Sequence, residues 1–260
     1  MSEKLSEELK SFGELWDGGY HTGDPLNPMS QADFGRLNYI SVLHATYLRC
    51  IKPYVNSRTT ALEIGPGRGC WTKTLLPAKD VWALDALSAE HNRFFEYLGH
   101  PKNVQYFQVS DFSCGMLPGD YFTYMFSFNC LCHVSFDGIR AYATNLYPKL
   151  KAGSNCFWMI ADYNKYNSAV SNTELDLWKT LMPNGRRYRP LTFLFTKMLE
   201  RKNPVPIILK TDGHDDPVPG RWYDAGIERT CNMLQEIGYE IADPDVGTNL
   251  RDPIIHFVKA

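Results

Sequence analysis

Between Thr60 and Asp162 the chain sets short apolar runs between helical stretches, and this alternation constrains its fold more than any other feature. The runs are TALEI (60–64), VWALD (81–85), VQYFQV (104–109), YFTYMFSF (121–128) and CFWMIAD (156–162), with helical patterns at roughly 70–76, 88–98 and 137–150. Runs of this length and composition read as buried strands. Strands separated by helices join as βαβ units into a mainly parallel sheet covered on both faces. Such sheets bind ligands beyond the carboxyl ends of their strands. The tail adds a helix (223–238) and two strands, YEIAD (239–243) and IIHFVK (254–259). The short, non-helical connection between those two makes them antiparallel neighbours.

Residues 1–54 read as a helical cap. Leu5, Leu9, Phe12 and Leu15 fall on one helical face, and WDGGYHTGDPLNPMS (16–30) is too rich in Gly, Pro and Asp to be regular. A helix is expected from about Gln31 to Ile51, with Leu37, Ile40, His44, Tyr47, Leu48 and Ile51 on its apolar face and Pro53 as its stop.

Charge narrows the partners. Lys and Arg number 27 against 29 Asp and Glu, a net charge of −2, which argues against a polyanion-binding surface and hence against nucleic acid. No run of about 18 apolar residues suggests a membrane span, and MSEKLSEELKSFGELW lacks the basic start and apolar core of a secretory signal. The seven cysteines contain no CxxC pair and several lie in apolar runs, so free, buried thiols in a reducing compartment are expected, hence a cytoplasmic location.

The turn after the first strand, EIGPGRGCW (63–71), concentrates glycines where such a sheet meets its ligand. A nucleoside triphosphate would require GxxxxGK[ST], which does not occur. A dinucleotide would require GxGxxG, and Gly65-Pro66-Gly67-Arg68-Gly69-Cys70 lacks the last glycine. Asp85, at the end of the second strand, suits a ribose hydroxyl in either case. Glu63 and Asp111 discriminate: acids repel a phosphate but attract a ligand carrying a sulfonium and an ammonium group.

Together these features resemble the class I S-adenosylmethionine-dependent methyltransferases, over roughly residues 55–260. The resemblance implies a seven-stranded, mainly parallel Rossmann-like sheet with its last strand antiparallel, helices on both faces and an N-terminal helical cap. It implies a catalytic domain over 55–260 with an acceptor-binding insertion at 163–222, and S-adenosylmethionine as the cofactor. Glu63, Gly65, Pro66, Gly67, Gly69 and Trp71 are then candidates for the methionine part of the cofactor. Asp85 and Ala86 are candidates for the ribose, Ser110, Asp111 and Phe112 for the adenine, and Asn129 for the neighbourhood of the sulfur.

Methyl transfer is an in-line displacement at a carbon activated by positive sulfur, so alignment supplies much of the acceleration. A hydroxyl acceptor also needs a base. His133, in FSFNCLCHVSF, is the imidazole at the end of the fourth strand and the candidate base, with a helix-capping or core histidine as the alternative. The fifth strand ends in WMIADYN after NLYPKLKAG, a stretch similar to bacterial sugar O-methyltransferases, some of which bind magnesium through acids at this point. Those enzymes often carry two adjacent aspartates, whereas Ala161 precedes Asp162 here. Asp162 is accordingly a candidate base, a lone magnesium ligand, or the orienter of Tyr163.

The resemblance implies that the N-terminal loop closes the cofactor pocket as a lid, with Tyr20, His21 and Asp24 as contacts. Candidate acceptor contacts are Tyr20 and His21, Arg186, Arg187 and Arg189 in NGRRYRP, and His214 in DGHDD, for which a polar turn is the alternative. The arginines suit a phosphate or carboxylate, against the alternative of a solvated basic face. The function expected is methylation of an oxygen on a small polar metabolite, a sugar or sugar-containing compound. The alternatives are a small-molecule N-methyltransferase, a nicotinamide-dependent oxidoreductase, and a non-catalytic partner subunit. The expected partner is a small-molecule acceptor, anionic if the arginines engage it, with neither nucleic acid nor membrane involved and a homodimer as the assembly considered.

Overall fold

The computed structural model describes residues 3–30, 36–37, 40–169, 222–249 and 251–260. Helix α1 spans Glu3–Leu15 and presents Leu9 and Phe12 to the core. The helix expected from about Gln31 is shorter: strands β1 (Arg36–Leu37) and β2 (Ile40–Ser41) pair antiparallel, and α2 begins only at Val42 and ends at Thr46. Ser41 explains the late start. Its backbone is extended (ψ 137°) and its N–H donates to the Pro28 carbonyl at 2.8 Å, so Ser41 itself lies outside the helix and α2 starts after it. A π-helical turn, Tyr47–Ile51, continues α2.

Strands β3 (Thr60–Ile64), β4 (Asp80–Asp85), β5 (Val104–Gln108), β6 (Phe122–Ser127), β7 (Leu150–Met159), β8 (Tyr239–Asp243) and β9 (Ile254–Lys259) form one sheet in the order β5-β4-β3-β6-β7-β9-β8. The pairs from β5 through β7 are parallel, and β9 runs antiparallel to both β7 and β8. Every residue of β3 is buried, as a central strand covered on both faces requires. Alternate side chains feed opposite cores: Leu62, Ile64 and Met125 on one face, Ala61, Tyr124 and Phe126 on the other. Each fully buried Leu, Ile, Met or Phe side chain among them contributes about 1.5–3 kcal/mol.

Helices α3 (Thr72–Leu75), α4 (Phe94–Leu98), α5 (Phe136–Leu146) and α6 (Ile227–Ile237) flank the sheet. Helix α4 is shorter than the 88–98 pattern because Arg93 adopts φ 52°, a left-handed residue that breaks the run. All seven cysteines are free thiols. Among the described residues no helix is long and apolar enough to cross a membrane.

The chain divides into two compact units, Met1–Asp162 with Gly213–Ala260, and Tyr163–Asp212. The first holds the sheet, with the N-terminal 54 residues counted into it. Of the second, residues 163–169 are described and are helical.

Candidate active site

The carboxyl ends of β3, β4 and β6 open into a cavity of about 850 Å³ within the first unit. That size lies in the upper part of the range for a small-molecule site, about 300–1,000 Å³. The glycine loop forms its floor. Gly65 and Gly67 hold φ of 70° and 53°, and a Cβ on Gly65 would fall 2.3 Å from Cys130 Sγ. Only glycine fits there, and the backbone itself becomes the cavity wall. The loop is also tied down: the Gly65 N–H donates to the Leu84 carbonyl at 2.8 Å and the Gly67 N–H to Asp85 Oδ2 at 3.1 Å.

Asp85 closes β4 at the cavity. Its Oδ1 accepts from the Leu87 N–H at 2.9 Å. Burial raises its pKa above the ordinary carboxylate value, opposed by the N–H groups of Leu87 and Gly67 and by the Asn92 side chain. Asn92 also lines the cavity and bridges, its Nδ2 donating to Tyr106 Oη at 2.8 Å and its Oδ1 accepting from the Gly19 N–H at 3.1 Å. Glu63 lies beneath the loop rather than on the cavity surface. It is 2% exposed, accepts from Thr72 Oγ1 at 2.6 Å, and is pushed up to about 8 by burial, with Asp85 adding repulsion and Thr72 opposing. Glu63 therefore holds its proton at neutral pH, and Asp85, half-buried at the cavity surface, is the acid that faces a ligand here.

Asn129 and His133 stand on the turn after β6, both at the cavity. Asn129 is left-handed at φ 55°, and Leu131–His133 forms a 3-10 turn that delivers the imidazole. The His133 ring meets Trp16 edge-on, with centroids 5.0 Å apart.

A wall from the N-terminus completes the cavity: Leu9, Phe12 and Trp16, followed by Gly18 and Tyr20. Glu8 anchors it. Its two carboxylate oxygens accept from the Ser135 N–H and hydroxyl, each at 2.6 Å, at the N-terminus of α5 where an anion is favoured. Downstream, the Tyr20 carbonyl accepts from the Arg68 N–H at 3.2 Å and the Trp16 carbonyl lies 3.0 Å from His91 Nε2, so this strap lies across the loops that follow β3 and β4.

Of the residues singled out in the sequence, Tyr20, Gly65, Gly67, Asp85, Ala86, Asn129 and His133 come together here. Others are placed elsewhere. Pro66 and Gly69 shape the turn into α3, and Trp71 is buried in the core against Phe126 and Phe128. Ser110 is exposed, Asp111 accepts from the Ser113 N–H at 2.7 Å, and Phe112 is fully buried with its ring edge-on to Tyr142. It is Tyr142, not Phe112, that lines the cavity. His21 packs against the Tyr97 ring, and Asp24 pairs with Lys73 at 3.5 Å. Asp162 Oδ2 accepts from the Ile227 N–H at 2.7 Å, so this acid caps α6 rather than facing the cavity. Tyr163 opens the second unit. Arg186, Arg187, Arg189 and His214 lie outside the described residues.

Sequence reasoning missed Asn92, Cys130, Trp222, Thr248, Asn249 and Arg251, all of which line the cavity. None sits in a motif. A signal existed only for the last group: Asn249 and Arg251 fall in the connection entering the final strand, at the same end of the sheet as the glycine loop.

No family model matches the chain, and no curated protein does. Solved structures do. A proposed S-adenosylmethionine-dependent methyltransferase of Listeria monocytogenes matches at 14% identity with a TM-score of 0.53, covering 84% of this chain and 98% of that one. A S-adenosylmethionine-dependent methyltransferase of Mesorhizobium loti matches with the same identity, TM-score and coverage. The chain therefore has the fold of the S-adenosylmethionine-dependent methyltransferases.

Proposed function

We propose that this protein is a S-adenosylmethionine-dependent methyltransferase that modifies an oxygen of a small polar metabolite, a sugar or sugar-containing compound. The observation that carries the reading is one cavity holding the glycine backbone, Asp85 and His133 together at the carboxyl ends of β3, β4 and β6. The residues fit this cofactor. Asp85 and Asn92 are suited to its ribose, and Gly65 and Gly67 let its amino-acid part lie against backbone. Ala86, Leu87 and Tyr142 are suited to the adenine.

S-adenosylmethionine supplies an electrophilic methyl group. The chain's own part is to hold the acceptor in line and to receive its proton. His133 does the latter: its imidazole takes the hydroxyl proton as the methyl group passes from sulfur to that oxygen, a task suited to an imidazole base. Trp16, packed against the ring, limits the directions it can face.

A thermal-shift series with S-adenosylmethionine, S-adenosylhomocysteine and NAD tests the cofactor. A ligand binding only the folded state at about 100 times its Kd adds about 2.7 kcal/mol. A shift with the two sulfur nucleosides and none with NAD is expected, and a shift with NAD alone would overturn the reading. His133→Gln tests the base: turnover falls by about a hundredfold or more while nucleoside affinity is retained. Undiminished turnover would remove His133 from the reaction.

A further inference from the structure

The C-terminal part of the chain supplies another wall of the cavity. The connection between β8 and β9 brings Asn249 and Arg251 to its wall beside Trp222. Asp252, 0% exposed, accepts from Trp222 Nε1 at 3.1 Å and from Arg251 Nε at 2.6 Å. The Arg251 guanidinium lies over the Trp222 ring, 5.1 Å from its centroid. One buried acid thereby sets the orientation of both an indole and a cation at the cavity wall. The connection is itself pinned, since Arg49 donates to the Val246 carbonyl and the hydroxyls of Thr46 and Thr248 bond at 2.8 Å. This corner also abuts the turn carrying His133, because the Tyr223 N–H donates to the Cys132 carbonyl at 2.9 Å.

We propose that Arg251, held by Asp252 and stacked on Trp222, is the specificity-determining residue of an acceptor subsite for the anionic group, carboxylate or phosphate, of a small acid. The acceptor role rests on the methyltransferase reading above. An acid and a cation line different walls of one cavity: Asp85 beside the glycine loop, and Arg251 on the connection between β8 and β9. An anionic acceptor held at Arg251 lies beside the turn that carries His133. A guanidinium offers planar donors that match the oxygens of a carboxylate or phosphate, and its contact with an indole face fixes that plane. Asp252 touches neither ligand in this account and is a positioning residue.

Calorimetric titration of the full chain tests this. The probes are hydroxylated monocarboxylates, each beside its neutral primary amide, and inorganic phosphate, all with and without S-adenosylhomocysteine. Wild type, Arg251→Met and Arg251→Lys are compared. An acid or phosphate should bind wild type, its amide should not, Arg251→Met should weaken it by about tenfold or more, and Arg251→Lys should fall between. The affinity of Arg251→Met for S-adenosylhomocysteine should match wild type, which also certifies its fold. If Arg251→Met does not fold, the weakening in Arg251→Lys decides. Equal binding of acids and amides, equal binding of acids to wild type and variants, or no anion binding to a protein that binds the nucleoside would overturn the subsite. An acid that binds wild type selectively over its amide, in a protein that does not bind the nucleoside, would overturn the methyltransferase reading and leave the anion site standing. Response to carboxylates but not phosphate, or the reverse, identifies the group.

Discussion

Gly65 and Glu63 show how much single residues decide here. A Cβ on Gly65 would meet Cys130 Sγ at 2.3 Å in a backbone with φ 70°, so Gly65→Ala should cost about 1–3 kcal/mol in strain. Urea denaturation reads the loss, and nucleoside affinity should fall with it as the floor shifts. Glu63 couples the fold to pH. Its carboxyl is raised from 4.5 to about 8 by burial, so the folded state holds the proton more tightly than the unfolded chain does. Its contribution is full below about 4.5 and is lost as pH rises to about 8, at about 1.4 kcal/mol per pH unit at most. Thermal melts across that window should show stability declining with pH in wild type and a flatter profile in Glu63→Gln. An unchanged slope would mean that Glu63 is ionised throughout. The glycines and Asp85 were legible in the sequence because backbone proximity and a strand-terminal acid leave a spacing. Phe112 and Trp71 were not, because residues beside a motif can point either way. Phe112 turns to Tyr142, and Trp71 turns to Phe126 and Phe128.

Elements carry the next level, and α1 is the instructive one. Its apolar stripe identified it in the sequence, but nothing there showed that Glu8 reaches a residue 127 positions away. That contact joins the N-terminal wall to α5. Glu8→Ala removes a buried carboxylate that caps Ser135, and should destabilise the protein by about 1–2 kcal/mol. Limited proteolysis should then cut faster between Trp16 and Tyr20, whereas an unaltered cleavage rate would mean that the strap holds without its anchor. Six strands of the sheet were legible to about one residue, since buried apolar runs bounded by turns allow few other readings. Strand β7, expected at 156–162, instead spans Leu150–Met159, because its first residues, LKAGSN, are mostly polar or exposed and carry no apolar run. Boundaries failed where one backbone hydrogen bond or one left-handed residue intervened, as at Ser41 and Arg93. Asp162 failed differently: it has the composition of a functional acid, and a helix that begins 65 residues later uses it as a cap.

At the scale of the molecule, the cavity draws on distant parts of the chain: residues 9–20, the loops after β3, β4 and β6, and residues 222–251. No window of sequence contains it, so no local motif marks the Arg251 corner. A variant lacking residues 1–18 should keep the far-ultraviolet signature of the sheet yet bind S-adenosylhomocysteine about tenfold more weakly, because Leu9, Phe12 and Trp16 leave the wall. Equal affinity would show that these side chains border the cavity without touching its ligand. The position of β9 has a further consequence, for synthesis. Strand β9 sits between β7 and β8, and roughly 95 residues separate it from the end of β7. At about 5–20 residues per second a ribosome needs on the order of 5–20 s to bridge that interval. Throughout it the nascent β7 has an unpaired edge, with Trp158 and its apolar neighbours uncovered, an adhesive surface of the kind that draws chaperones or mispaired strands.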